Sequence, residues 1–236
     1  MDECQATHIR CHVDESSVFP SRLLSWSPGE SFPDSVFLHC NTRTDTLRYA
    51  CLSYTWGSTS RSKASLARLA LRGQGIPFVE LPPAFQDALI VASALGLRYL
   101  WIDSMCILQD DPKNLAHELT QMAQYYRNAS IVILPSGIQS AEERFLGQSR
   151  IPVRKGGELF RVPFYDKQGS RQRHGVKVFI GGWTNYNYHD EPANNRGWIL
   201  QEQLLCPRIL EFPSVGGMLY WCDTLGTKIL EDGNVP

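Results

Sequence analysis

No apolar run in this chain approaches the roughly 18 residues that a membrane span requires. The opening stretch, MDECQATHIRCHVDE, holds Asp2 and Glu3 and no hydrophobic block, so it does not read as a secretory signal. An excess of either charge is also missing. Lys and Arg number 23 against 24 Asp and Glu, for a formal charge of −1. That balance leaves no basic face for general nucleic-acid binding. No CxxC pair occurs among Cys4, Cys11, Cys40, Cys51, Cys106, Cys206 and Cys222. An odd cysteine count without such pairs argues against a disulfide framework and for a reduced, cytoplasmic protein. There is no GxxxxGK[ST] phosphate loop, internal repeat or low-complexity tract.

What is present is ordinary globular material: 236 residues, 43% hydrophobic and 20% charged. Such a chain can bury a sizeable core without covalent staples. Cys4, His8, Cys11 and His12 are metal-ligand types, but they crowd together at no standard zinc spacing, so no metal site is expected. Residues 14–35 are rich in Ser, Pro and acids and read as irregular connection. Residues 36–40 form a short candidate strand, and residues 49–54 (YACLSY) an apolar one that stops at a turn, Thr55-Trp56-Gly57-Ser58. A short helix is expected near 63–72.

Pro82-Pro83 opens a helix whose face is Phe85, Ala88, Leu89, Ala92 and Leu95, and Gly96 takes the C′ position. Leu97–Asp103 is apolar on both faces, as a strand covered on both sides is. Asp111-Pro112 reads as an N-cap with Pro at the first helical position. Leu115, Leu119, Met122 and Tyr126 continue one stripe to about residue 128. Residues 130–134 (SIVIL) form the next strand. Strand, helix, strand, helix, strand over 49–135 implies right-handed crossovers and a parallel sheet. Further on, 158–166 and 176–181 read as a hairpin insertion, 196–206 as a helix, and 208–212 and 218–222 as final strands.

Ligands of such sheets bind beyond the carboxyl ends of the parallel strands. Ser53, Tyr54, Trp56 and Gly57 stand at that edge, where Trp56 can stack on a ring or serve as a buried anchor. Asp103 ends the most apolar strand, and a carboxylate there must be hydrogen-bonded, paired or used by a ligand. Cys106 and Gln109 follow in the same segment; Cys106 is a nucleophile if a base such as His117 approaches it, and a buried inert thiol otherwise. Asp111 needs no ion, since an N-cap explains it. At about 100° per residue, Glu118 lies about 80° off the centre of its helix's apolar stripe, where a carboxylate is half desolvated. The bland reading of Glu118 is an exposed acid. Arg196, Trp198 and Glu202 return towards the cleft or pair within the core.

These segments resemble the fungal heterokaryon incompatibility (HET) domain. The likeness rests on Tyr49–Gly57 (YACLSYTWG), Leu81–Asp87 (LPPAFQD), Leu95–Asp111 (LGLRYLWIDSMCILQDD), ELTQMAQYYRNA from Glu118, and Arg196–Phe212 (RGWILQEQLLCPRILEF), in the family's order. It implies a death-inducing effector in fungal allorecognition and innate-immunity-like programmed cell death, either as a short protein or as a domain cut from a longer one. HET domains are in turn similar to Toll/interleukin-1 receptor (TIR) domains. That second likeness implies an α/β fold with a TIR-like central, mostly parallel sheet flanked by helices, and a C-terminal addition holding a β-hairpin.

The implied division is a leading segment 1–48, a HET domain 49–222 and a tail or cut end 223–236. Within the domain lie a core at 49–137, a β-rich insertion at 150–190 and a closing helix and strands at 196–222. The TIR likeness implies an NAD+ nucleosidase with Glu118 catalytic. Ser53, Tyr54, Trp56, Gly57, Asp103, Cys106, Gln109, Arg196, Trp198 and Glu202 would then bind substrate. NAD+ is substrate in this scheme, and no cofactor or metal is called for. Self-association is expected. The alternative is a non-enzymatic module that kills by self-association and partner recruitment.

Overall fold

A computed structural model describes residues 18–27, 34–41, 47–57, 75–147, 158–162, 176–180, 191–195, 205–214, 218–222 and 226–230. Its centre is the expected alternation. Strand β3 (Ala50–Leu52) is followed by helix α1 (Pro83–Ala94), strand β5 (Tyr99–Trp101), helix α3 (Pro112–Asn128) and strand β6 (Ile131–Leu134). Strands β3, β5, β6 and β9 (Arg208–Glu211) run parallel. The fold is therefore mixed α/β, with a parallel core and flanking helices, as the sequence implies.

Antiparallel strands extend this core on both sides. Strand β1 (Arg22–Ser25) pairs with β5 and with β2 (Ser35–Cys40). Strand β4 (Ile76–Pro77) pairs with β2. On the far side β10 (Met218–Cys222) joins β9, and β11 (Gly226–Leu230) joins β10. The sheet order is β11-β10-β9-β6-β3-β5-β1-β2-β4. Strands β7 (Glu158–Val162) and β8 (Val176–Ile180) form the expected hairpin, in a separate two-stranded sheet.

Three elements depart from the sequence reading. Residues 22–25 are a strand where irregular connection is expected. Its two apolar residues, Leu23 and Leu24, are fully buried, but a run that short carries no period to recognise. Asp103–Cys106 forms one helical turn, α2, inside an expected loop. Gly226–Leu230, within the stretch read as a tail, is a strand. The short helix expected near 63–72 and most of the closing helix at 196–206 lie outside the described residues.

The two long helices cover opposite faces. Tyr54 meets Phe85 of α1 with ring centroids 5.0 Å apart. On the other face Trp101 packs edge-on against Tyr125 and Tyr126 of α3. Helix ends obey local chemistry. Pro83 takes the first position of α1, Gly96 follows its end at φ +72°, and the Asp111 carboxylate caps α3 by accepting from the Lys113 and Asn114 amides. The loop after β6 is tied to α1 by buried Asp87, which accepts from Arg144 Nη1 at 2.7 Å and from the Phe145 and Leu146 amides.

Candidate functional site at the carboxyl edge of the sheet

Connections leave the parallel core in opposite directions. From β3 the chain moves to β5 on one side, and from β6 it moves to β9 on the other. A reversal of this kind opens a crevice beyond the carboxyl ends of the two diverging strands, the usual ligand site of open α/β sheets. Four of the expected binding residues follow β3 directly. Ser53 and Tyr54 are buried, whereas Trp56 is 37% exposed. Gly57 adopts φ +70°, and a Cβ there would stand 2.6 Å from Ser140 Cβ, so only glycine fits this turn against its neighbour.

The segment after β5 meets the same edge. Trp56 Nε1 donates to Asp103 Oδ2 at 2.9 Å, and Asp103 Oδ1 accepts from the Ser104 amide. Gln109 Nε2 donates to the Asp103 carbonyl at 3.3 Å. The Tyr54 and Ser104 hydroxyls lie 2.8 Å apart in a buried hydrogen bond. The structure thus brings Tyr54, Trp56, Asp103 and Gln109 together. Asp103 both starts α2 and fixes the indole, so its placement serves the loop as well as any ligand.

Glu118 corrects the reading of its helix. It is only 1% exposed, while Leu119, expected in the apolar stripe, is 51% exposed. The inward face of α3 carries Glu118, Tyr125, Tyr126 and Asn128. At about 100° per residue, Glu118 and Tyr125 point within about 20° of one another, so Glu118 marks the centre of the buried face and not its border.

Burial of the carboxylate is compensated by donors. Ser21 Oγ and Arg22 Nη2 donate to Oε1, the latter at 3.3 Å, and Tyr125 OH donates to Oε2 at 2.8 Å. Arg22 also donates to the Cys106 carbonyl at 2.7 Å and to Asn114 Oδ1 at 2.6 Å. One guanidinium therefore joins β1, α2 and α3. The Tyr125 phenol is pushed well above its usual range, first by burial and then by the charge and hydrogen bond of Glu118.

Cys106 is buried, and burial raises its thiol to about 12. At neutral pH it is a thiol and not a thiolate, which removes the basis for reading it as a nucleophile. Arg196, Trp198 and Glu202 lie outside the described residues. So does the Cys4, His8, Cys11, His12 group; among the described residues no cluster of ligand types could hold a metal. No helix of the described residues is long and apolar enough to cross a membrane.

Sequence reasoning missed Ser21, Arg22 and Asn114 as partners of the Glu118 cluster. It also gave no sign that the hydroxyl oxygens of Thr55 and Ser136 are buried without a hydrogen-bond partner. Arg22 sits in a stretch that shows no period, so only the strand pairing reveals it.

The family model for heterokaryon incompatibility protein (HET) matches residues 49–202. The chain belongs to the HET family. Membership points to a role in fungal heterokaryon incompatibility and its cell death. The matched span of the HET domain holds Trp56, Asp103 and Glu118, whereas Ser21 and Arg22, which cover Glu118, precede it. No curated protein and no solved structure matches the chain.

Proposed function

We propose that this HET domain brings about cell death by hydrolysing NAD+, in the manner expected from a kinship with TIR domains. The observation that supports this reading is the convergence of Trp56, Asp103 and Gln109 at the carboxyl edge of the parallel strands, with a half-exposed indole to receive a ring. In the reaction the bond between nicotinamide nitrogen and ribose C1′ breaks, and its electron pair leaves with neutral nicotinamide. Positive charge develops on the ribose ring, a carboxylate stabilises it, and water adds at C1′ and releases a proton. Glu118 is that carboxylate, already held by Ser21, Arg22 and Tyr125. Access to it requires the Ser21 and Arg22 side chains to turn aside, a step that self-association or another trigger would supply.

The test is nicotinamide release by concentrated protein supplied with NAD+, beside Glu118→Gln of verified fold. Release by the native protein alone is the expected result. Equal release by the variant would remove Glu118 from the mechanism. Absence of release from both overturns the hydrolase reading in favour of a non-enzymatic module that kills by self-association and recruitment. The enclosure of Glu118 by donors of its own chain favours that second reading, because a carboxylate bound this way is also a structural clasp.

A further inference from the structure

Among the described residues, the donors that reach Glu118 from outside α3 are Ser21 and Arg22. They end a stretch, residues 18–22, that lies along the helix. The Val18 carbonyl accepts from Asn128 Nδ2 at 2.8 Å, and Arg22 Nη2 donates to Asn114 Oδ1 at 2.6 Å. At about 1.5 Å per residue those two asparagines stand about 21 Å apart along α3, so the stretch runs antiparallel to the helix. At about 100° per residue Asn114, Glu118, Tyr125 and Asn128 fall within about 80° of one another. Helix α3 thus carries a polar stripe along one face, and residues 18–22 meet it at both ends.

This stretch is held differently from the strand that follows it. Leu23 and Leu24 of β1 have no exposed surface. Val18 is exposed, Phe19, Ser21 and Arg22 are half-buried, and Pro20 is buried. Its carbonyls are tied by two side chains, Asn128 to Val18 and Asn41 to Pro20 at 3.2 Å, and by the Asn41 amide, which donates to the Ser21 carbonyl at 2.9 Å. Few buried apolar groups and anchors made by side chains mark a segment that opens at less cost than the core. The core begins at Leu23, so β1 can keep its ladder while the residues before it lift and the Arg22 side chain swings out.

Arg22 also stands between Glu118 and the sheet edge. Its Nε donates to the carbonyl of Cys106, the last residue of α2, while Asp103, the first residue of that turn, holds Trp56. We infer that residues 18–22 form an autoinhibitory strap: pinned along α3 at Asn128 and Asn114, they shut Glu118 off, and lifting of the strap uncovers the carboxylate beside α2. That the uncovered carboxylate acts on NAD+ rests on the reading above; the movement of the strap does not.

The test is carboxylate labelling of the full chain with a water-soluble carbodiimide and glycine ethyl ester, read residue by residue by peptide mass mapping. Asp87 is the internal reference, because it is as buried as Glu118 but belongs to α1 on the opposite face of the sheet. Glu118 is labelled faster than Asp87, and with a weaker dependence on urea. Asn128→Ala and Asn41→Ala, which loosen the strap without touching Glu118, each raise the Glu118 rate by about fivefold, the equivalent of one neutral hydrogen bond, and leave Asp87 unchanged. Labelling of both carboxylates at one rate with one urea dependence overturns the strap, since Glu118 is then uncovered only by unfolding. So does a ratio of the two rates that neither variant moves. Faster labelling with no nicotinamide release from any of the proteins leaves the strap standing and overturns the hydrolase reading. Release that stays constant while labelling rises leaves the hydrolase standing and overturns the strap as its regulator.

Discussion

Arg22→Met is the perturbation that most directly probes how this fold is joined. The guanidinium makes three contacts across the chain, to the Cys106 carbonyl, Asn114 and Glu118. Its side chain is 11% exposed and that of Glu118 is 1% exposed, so the pair is screened little by water. Methionine keeps much of the volume and removes the charge. Glu118 then remains a buried carboxylate with only Ser21 and Tyr125 as donors. Breaking a buried pair from one side costs about 3–5 kcal/mol. For a chain of this size that lowers the melting temperature by about 6–20 °C.

Glu118→Gln keeps one acceptor oxygen in place of two, so one of the Ser21 and Tyr125 hydroxyls must turn to accept from the new amide, and it should cost less, about 1–3 kcal/mol. In the double variant no buried charge is stranded, so its loss should fall well short of the sum. The assay is urea unfolding of the four proteins, with the coupling energy read from the cycle. Additive losses, or a loss below about 1 kcal/mol for Arg22→Met, would refute the idea that the pair holds β1 to α3.

Three further outcomes follow from local geometry. Burial raises the Cys106 and Cys206 thiols to about 12, so a thiol reagent at neutral pH should label exposed Cys40 in the folded protein and spare both, as peptide mass mapping would show. Gly57→Ala meets Ser140 as well as an unfavourable φ and should cost more than about 2 kcal/mol, whereas Gly96→Ala, at φ +72° with nothing within 4 Å, should cost about 1 kcal/mol in the same unfolding assay. The Tyr49 and Tyr125 phenols are raised in the fold, chiefly by burial, so the folded state holds their protons more tightly than the unfolded chain does. Their stabilising contribution is complete below about pH 10 and declines as pH rises beyond it, so stability measured across that range should fall, and less steeply in Tyr125→Phe.

The legible part of the fold is the part with a strong period. Helix α1 follows paired prolines and stops at Gly96, and α3 starts on a capped Asp111-Pro112, because those signals act within one turn of backbone. Strands β3, β5 and β6 are buried on both faces and show as continuous apolar runs. Strand β1 has only Leu23-Leu24 to announce it, and its place is decided by pairing with residues more than 70 positions away. That gap propagates into the site. Without Arg22 and Ser21 there is no visible partner for a buried carboxylate, so the apolar stripe of α3 wrongly turns Leu119 inward and leaves Glu118 at its border. Tertiary hydrogen bonding outweighed the amphipathic pattern there. At the sheet edge, Trp56 and Asp103 were legible as residues of one rim because the parallel topology places strand ends together. The unpaired state of the Thr55 and Ser136 hydroxyls was not, because it is a property of three-dimensional enclosure.

A clasp and a covered catalytic carboxylate make opposite demands on Arg22. As a clasp, Arg22 holds Glu118 where the fold needs it, and its loss lowers stability and any activity together. As a cover, Arg22 neutralises a charge that a cationic ribose would otherwise meet, and its loss exposes that charge. Arg22→Ala separates the two more sharply than Met, because it opens space beside Glu118 as well as removing the guanidinium. The NAD+ reading then requires nicotinamide release per folded molecule to rise while the melting temperature falls. Release is measured at a temperature well below the transition, so that unfolded protein does not enter the rate. Adding Glu118→Gln must abolish the gain, since the newly exposed charge is its cause. A fall in both quantities would show that Glu118 serves the join between β1, α2 and α3 and does not act on substrate.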